Sequence, residues 1–247
     1  MSLTFSHILY RYTRAAKPVF TDFCWQVSPG KTVLLGPNGA GKSTLLALGA
    51  NALRPNRGDI TLGLLSATTR SHRAAYRRAV GWMPQQIRAV PGLTAQEQVA
   101  YAAWLKGYGR KQAWSAAAAA LDQVGLTPLA ASKTATLSGG QLRRVGLAQV
   151  IVHAPEVLLL DEPTVGLDPA QRSRFRTLLA ELPATQPVIV STHQIDDLSE
   201  LFDTVVVLVA GTIRFAGSVT EFMRLAPADA ATRRAEVAYA QFVGEEH

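Results

Sequence analysis

Cysteine occurs once in this 247-residue chain, at Cys24. A single thiol excludes an internal disulfide framework and fits a reducing compartment. Its place in the apolar stretch Phe23-Cys24-Trp25 predicts a small, packed core side chain. Long apolar runs are missing too. None approaches the roughly 18–20 residues that cross a bilayer, and candidates such as Val205 to Ala210 have only strand length. Met1 to Arg14 mixes polar and apolar residues without a basic segment followed by an apolar one, so it does not read as a secretory signal. The expected location is therefore cytosolic, with any membrane role supplied by a partner. Acidic residues are absent between Asp59 and Glu97, a stretch that holds Arg70, Arg73, Arg77, Arg78 and Arg88. Such a face suits anionic headgroups, nucleic acid, an acidic partner or plain solvent. No aromatic residues interleave with these arginines in the pattern of a single-strand binder.

What is present is a globular composition, 48% hydrophobic and 17% charged, which supports a packed core and not a disordered chain. Turn signals divide it. Ile8 to Tyr12 and Phe20 to Val27 read as strands, Ser28-Pro29-Gly30 as a turn, and Lys31 to Leu35 as a short apolar strand. A glycine-rich loop and a helix over about Lys42 to Asn51 follow, then an edge strand over Gly58 to Gly63. From about Thr94 to Val152 the pattern is alanine-rich and helical, Ala116 to Ala120 being a run of the best helix former. Strands return at Val157 to Leu160, Val188 to Ser191 and Val205 to Val209, with helices near Ala170 to Glu181 and Gln194 to Leu201 between them. This alternation implies parallel pairing and βαβ crossovers, an α/β core carrying an inserted helical subdomain. The tail from Ala226 predicts one amphipathic helix with Val237, Phe242 and Val243 as its apolar positions.

Gly36-Pro37-Asn38-Gly39-Ala40-Gly41-Lys42-Ser43 matches the phosphate-loop pattern G-x-x-x-x-G-K-[ST], between an apolar strand and a helix as the motif requires. Glycines let successive backbone N–H groups point at one anion, and the following helix turns its unpaired N–H groups and positive end toward the same phosphates. Lys42 adds a point charge at the β- and γ-phosphates, and the Ser43 hydroxyl is placed for Mg²⁺. Thr44 completes the candidate nucleotide-binding set of residues 36, 38–44.

Val157-Leu158-Leu159-Leu160-Asp161-Glu162 is a buried strand ending in two acids. Parallel sheets bind ligands at the carboxyl ends of their strands. Asp161 is then placed to reach Mg²⁺ directly or through water. Glu162 points elsewhere because side chains alternate, toward a γ-phosphate where it would orient or deprotonate a water.

Leu137-Ser138-Gly139-Gly140-Gln141 precedes a helix about twenty residues ahead of the acidic pair. Together with the phosphate loop and the acid-ended strand, this segment resembles the ATP-binding cassette (ABC) ATPases, over about Leu3 to Phe222. The resemblance implies a RecA-like core with a mixed sheet, an N-terminal antiparallel β subdomain and an inserted helical subdomain. The core is expected over about residues 1–90 and 154–225, the helical subdomain over 91–153 and a short tail over 226–247. It also implies further site residues. Gln85, after Trp82-Met83-Pro84, resembles the Q-loop glutamine that meets Mg²⁺ and the attacking water, with Gln86 adjacent. Val165-Gly166-Leu167-Asp168 resembles the D-loop, whose acid reaches across a dimer interface. His193 resembles the switch histidine at the γ-phosphate. Tyr12 resembles the A-loop aromatic that stacks on adenine, with Tyr10 the competing candidate.

In this family two nucleotide-binding domains pair head to tail. ATP lies between the phosphate loop of one and Ser138, Gly139, Gly140 and Gln141 of the other, a bare helix start fit for a γ-phosphate. The implied function is the ATP-hydrolysing subunit of a transporter, with ATP and Mg²⁺ as cofactors and catalytic residues Lys42, Gln85, Glu162 and His193. A second, identical subunit and a separate membrane permease are the expected partners, with the chain peripheral at the inner face of the cell membrane. Gly92-Leu93-Thr94 and Val165 to Pro169 resemble export-type subunits more than sugar importers. The alternative is a soluble ABC ATPase acting on ribosomes or nucleic acid. The net charge of +7 keeps it open, but the single cassette, the lack of a heptad run and the lack of paired cysteines argue against it, and no nucleic acid is expected.

Overall fold

A computed structural model describes residues 2–192, 201–227 and 233–243. Among them, two sheets and a layer of helices account for nearly all the regular structure. The first sheet is antiparallel. It contains β1 (Leu3–Tyr10), β2 (Phe20–Gln26), β4 (Arg57–Leu62) and β5 (Leu65–Ser66) in the order β2-β1-β4-β5. The second contains β3 (Lys31–Leu35), β6 (Val80–Met83), β7 (Val157–Asp161), β8 (Val188–Ser191), β9 (Thr204–Val209) and β10 (Thr212–Ser218) in the order β10-β9-β3-β8-β7-β6. It is parallel except for β10, which pairs antiparallel with β9.

Burial follows the sequence patterns. β7 and β8 are buried at every position, as expected for parallel strands covered on both faces. β2 alternates, and here the structure corrects an expectation. Phe23 and Trp25 face the core, so Cys24 between them points outward and is exposed. Phe5 of β1 stacks on Trp25 at 5.8 Å between ring centroids. The strand expected at Gly58 to Gly63 is not an edge, because β5 pairs on its far side. The first strand begins at Leu3 and ends at Tyr10, two residues short of Tyr12.

Helix α1 (Lys42–Gly49) follows β3, and α2 (Arg73–Ala79) leads into β6. The helical layer contains α3 (Ala95–Leu105), α4 (Arg110–Gln123) and α5 (Gly139–Ile151). Thr94 caps α3 in a reciprocal capping box with Glu97. The alanine run of α4 lets helices approach closely, with Ala113, Ala117 and Ala120 buried. This layer shares one apolar cluster with the main sheet. Val99, Leu121 and Val145 pack in the same cluster as Leu158, Leu160 and Val190. Helix α6 (Pro169–Glu181) contributes Phe175 and Leu179 to it. Helices α7 (Val219–Arg224) and α8 (Arg234–Val243) close the opposite end, where Phe222, Phe215 and Phe242 meet ring to ring. The expected tail helix is thus present. Val237 and Phe242 are packed as expected, and Ala238 is fully buried. The helix expected at Gln194 to Leu201 lies largely outside the described residues.

Candidate nucleotide-binding site

Register aligns the carboxyl ends of the parallel strands. Leu34 of β3 and Asp161 of β7 both pair with Ser191 of β8, and Met83 of β6 pairs with Leu160. The segments leaving these strands therefore converge on one edge of the sheet: the loop at 36–41, Glu162 and the segment from Pro84. The loop requires its glycines. A Cβ on Gly36 would lie 2.2 Å from the Leu208 carbonyl oxygen, and Gly41 has φ +104.

Within the loop the Lys42 side chain curls back. Its Nζ donates to the carbonyls of Gly36 at 2.6 Å and Pro37 at 3.1 Å. Burial pushes the Lys42 pKa below its ordinary value, opposed by the negative charges of Glu162 and Asp161. A buried cation facing two carboxylates is thus already gathered around the phosphate loop. Asn38, Gly39 and Ser43 are exposed at its mouth, and Ala40 and Thr44 are buried.

Ser191 organises the acids. Its Oγ donates to Asp161 Oδ1 at 2.6 Å, and the Glu162 N–H donates to the Ser191 carbonyl at 3.1 Å and Oγ at 3.0 Å. Glu162 is buried and has φ +49, a left-handed conformation uncommon for a residue with a Cβ. Such strain persists where the surroundings over-determine it.

Tyr12 and Tyr10 separate clearly. Tyr10 is buried in the core, whereas Tyr12 is 62% exposed and its hydroxyl lies 2.8 Å from Thr44 Oγ1 on α1. Gln85 is exposed just beyond β6. Ser138 and Gln141 form a capping box at the start of α5. The Ser138 Oγ accepts from the Gln141 N–H at 3.3 Å, and Gln141 Oε1 accepts from the Ser138 N–H at 2.9 Å. Ser138 and Gly139 are exposed, and a Cβ on Gly139 would meet nothing within 4 Å. Gly140 is closer packed, against the Gln171 side chain. Asp168 caps α6, accepting from the Gln171 N–H at 2.8 Å. His193 lies outside the described residues.

Two residues that the sequence reading did not single out belong to the site, Ser191 and Arg143. Arg143, on α5, donates from Nη1 to the Gln85 carbonyl at 2.7 Å and from Nε to the Pro163 carbonyl at 2.9 Å. Its Nη2 donates to the carbonyls of Asp161, at 3.3 Å, and Glu162. The proposed metal ligands, Ser43, Gln85 and Asp161, offer a hydroxyl, an amide and a carboxylate. This all-oxygen donor set suits Mg²⁺ and not a thiolate- or imidazole-seeking metal.

A parallel sheet with a glycine loop after one strand and an acidic pair after the next but one defines a phosphate-loop α/β protein. The chain belongs to the ABC transporter family, whose sequence profile matches residues 20–165. It is 36% identical over 191 residues to the linearmycin resistance ATP-binding protein LnrL of Bacillus subtilis, covering 76% of this chain and 60% of that protein. It is 36% identical over 212 residues to the molybdenum import ATP-binding protein ModC of Mycobacterium tuberculosis, covering 82% and 58%. The chain thus spans about three fifths of these relatives' length. Among solved structures it superposes on an ATP-binding subunit of an ABC transporter with a TM-score of 0.80 at 24% identity, covering 91% of this chain and 92% of that one. The dimeric bacterial ABC transporter cassette MJ0796 gives a TM-score of 0.79 at 23% identity, covering 88% and 98%. Both share the fold described above.

Proposed function

We propose that this chain binds and hydrolyses ATP with Mg²⁺ as the nucleotide-binding subunit of a transporter, pairing with a second cassette and driving a separate membrane permease. The observation that carries this reading is the Lys42 ammonium, held by loop carbonyls beside Asp161 and Glu162 on one edge of the sheet.

Each residue has a definite task. The loop N–H groups and Lys42 hold the phosphates, and Tyr12, exposed above α1, stacks on the base. Ser43, Asp161 and Gln85 hold Mg²⁺, which when bound neutralises charge on the β- and γ-phosphates. Glu162 takes or orients the proton of the attacking water, with Gln85 and His193 around the γ-phosphate. Ser138, Gly139, Gly140 and Gln141 engage the partner's γ-phosphate, and Asp168 lies at the pair interface. ATP then favours the paired state by its differential affinity, and hydrolysis reopens it.

The permease would dock in the groove of about 540 Å³ lined by Trp82, Pro84, Ile87, Lys106, Gly146 and His153. It adjoins the Gln85 segment, since Pro84 and Gln86 line it. Among the described residues no helix is long and apolar enough to cross a membrane, so this contact would hold the chain at the membrane's inner face. In this reading residues 91–153 form a helical subdomain that moves with the permease on a core of 1–90 and 154–225. The Gly92-Leu93-Thr94 and Val165 to Pro169 segments favour the export direction in this reading, while the similar proteins include both a resistance protein and a molybdenum import protein.

The test is Glu162→Gln on a sizing column with and without ATP. The expected result is retained ATP binding, very slow turnover and an ATP-dependent shift from monomer to homodimer. Near-normal hydrolysis would show that another residue organises the water. Intact binding without a shift would favour pairing with a different cassette.

A further inference from the structure

Arg143 is unusual in where its hydrogen bonds go. Its acceptors are all backbone carbonyls, and none is in its own helix. They lie in two separate segments, Gln85 after β6 and Asp161, Glu162 and Pro163 at the end of β7. Only a planar guanidinium has donors spread to serve so many acceptors at once; a lysine ammonium is a compact point charge. Glu162 sits in the left-handed region, and it is gripped at both ends of its backbone. Ser191 holds its N–H, and Arg143 holds its carbonyl. Helix α5 also lies directly on the segment after β6, because a Cβ on Gly146 would come within 2.5 Å of Ile87.

We propose that Arg143 is a positioning residue that sets the backbone of Glu162, and hence the direction of its carboxylate, according to where helix α5 and the Gln85 segment lie. The proposal rests on the ATPase reading of the site. Arg143 is one turn beyond the exposed Ser138-Gly139 start of α5. A shift of α5, whether from nucleotide engagement at its start or a partner in the groove, would move the guanidinium against three carbonyls of β7. Glu162 would then relax out of its strained conformation. Hydrolysis becomes conditional on α5 being seated, while nucleotide binding at the loop, to which Arg143 makes no hydrogen bond, does not.

The experiment compares the full-length wild type with Arg143→Gln and Arg143→Lys. Steady-state ATP hydrolysis gives kcat and KM, fluorescent ATP analogue titration gives affinity, and amide hydrogen exchange is followed across residues 157–167. The expected result is a fall in kcat on the order of 100-fold in Arg143→Gln. Affinity should be nearly unchanged and the melting temperature lowered, because the carbonyls lose their donor, with faster exchange confined to the amides of Glu162 and Thr164. Arg143→Lys should recover only a small part of kcat, because the charge is kept and the fork is lost. Unchanged kcat, or losses of kcat and affinity in parallel, would overturn the proposal. A wild type that does not hydrolyse ATP would sink the ATPase reading instead. Arg143 would then be judged on exchange alone, and protection of the Glu162 and Thr164 amides equal to wild type in Arg143→Gln would overturn its positioning role.

Discussion

At the scale of single residues, the acidic pair depends on neighbours that carry no charge. Ser191 is fully buried, donates to Asp161 and accepts from Glu162. Ser191→Ala leaves a buried carboxylate without that donor, and the expected cost is about 1–3 kcal/mol of stability. Urea unfolding would read it, and ATP hydrolysis should fall with it; a variant as stable and active as wild type would show that the hydroxyl is dispensable. The phosphate loop and the acids were legible in the sequence because their chemistry requires particular side chains at particular spacing. Ser191 and Arg143 were not, since their partners are main-chain groups and a carboxylate whose proximity only the register of β7 and β8 creates. Cys24 was misread because an apolar neighbourhood says nothing about face. The alternation of β2 does.

Among the elements, an unbroken apolar run decided legibility. β3, β7, β8 and β9 are short, but each carries at least three consecutive apolar residues, and they were recognised. β5 has two residues, β6 holds a glycine, and α2 has seven residues and no side-chain cap, so none carries a local signal. β10 alternates only weakly, and its place comes from pairing with β9. The join between α2, α3 and α5 has a pH dependence of its own. Burial, aided by the nearby Lys106 charge, pushes the His153 pKa from its ordinary 6.5 down to about 4. Between those values the unfolded chain binds a proton that the folded one refuses. Stability therefore falls as pH drops from 6.5 toward 4, by up to about 1.4 kcal/mol per pH unit. Denaturant unfolding at several pH values should show this slope, and His153→Leu should flatten it. An equal slope in the variant would assign the acid sensitivity to other groups.

For the molecule as a whole, the proposed pairing of two cassettes turns on the exposed start of α5. Gly139 is exposed, and a side chain there would touch nothing in the folded chain. Gly139→Asp should fold with an unchanged melting temperature and bind ATP at its own loop. In the Glu162→Gln background it should no longer dimerise with ATP, because a carboxylate would face the partner's γ-phosphate. A sizing column checks this, and a persisting ATP-dependent dimer would place the pairing surface elsewhere. The helical character of the alanine-rich stretch from about Thr94 to Val152 was apparent from the sequence, and α3, α4 and α5 lie in it. The single apolar cluster joining α3, α4 and α5 to β7 and β8 was not, because it is formed by residues far apart in the chain.

The capping box at the start of α5 has a thermodynamic consequence for such a pair. Ser138 and Gln141 already satisfy each other's backbone N–H groups. A phosphate arriving there would replace bonds and not fill a vacancy, so each exchanged contact would be worth less than the same contact at an open site. A bond to the charged phosphate is worth about 1.5–3 kcal/mol, and the neutral bond it displaces offsets part of that. An embrace built from such exchanges is one that loss of a single phosphoryl group can undo, and the helix would keep its fold throughout, recapping itself as the nucleotide leaves.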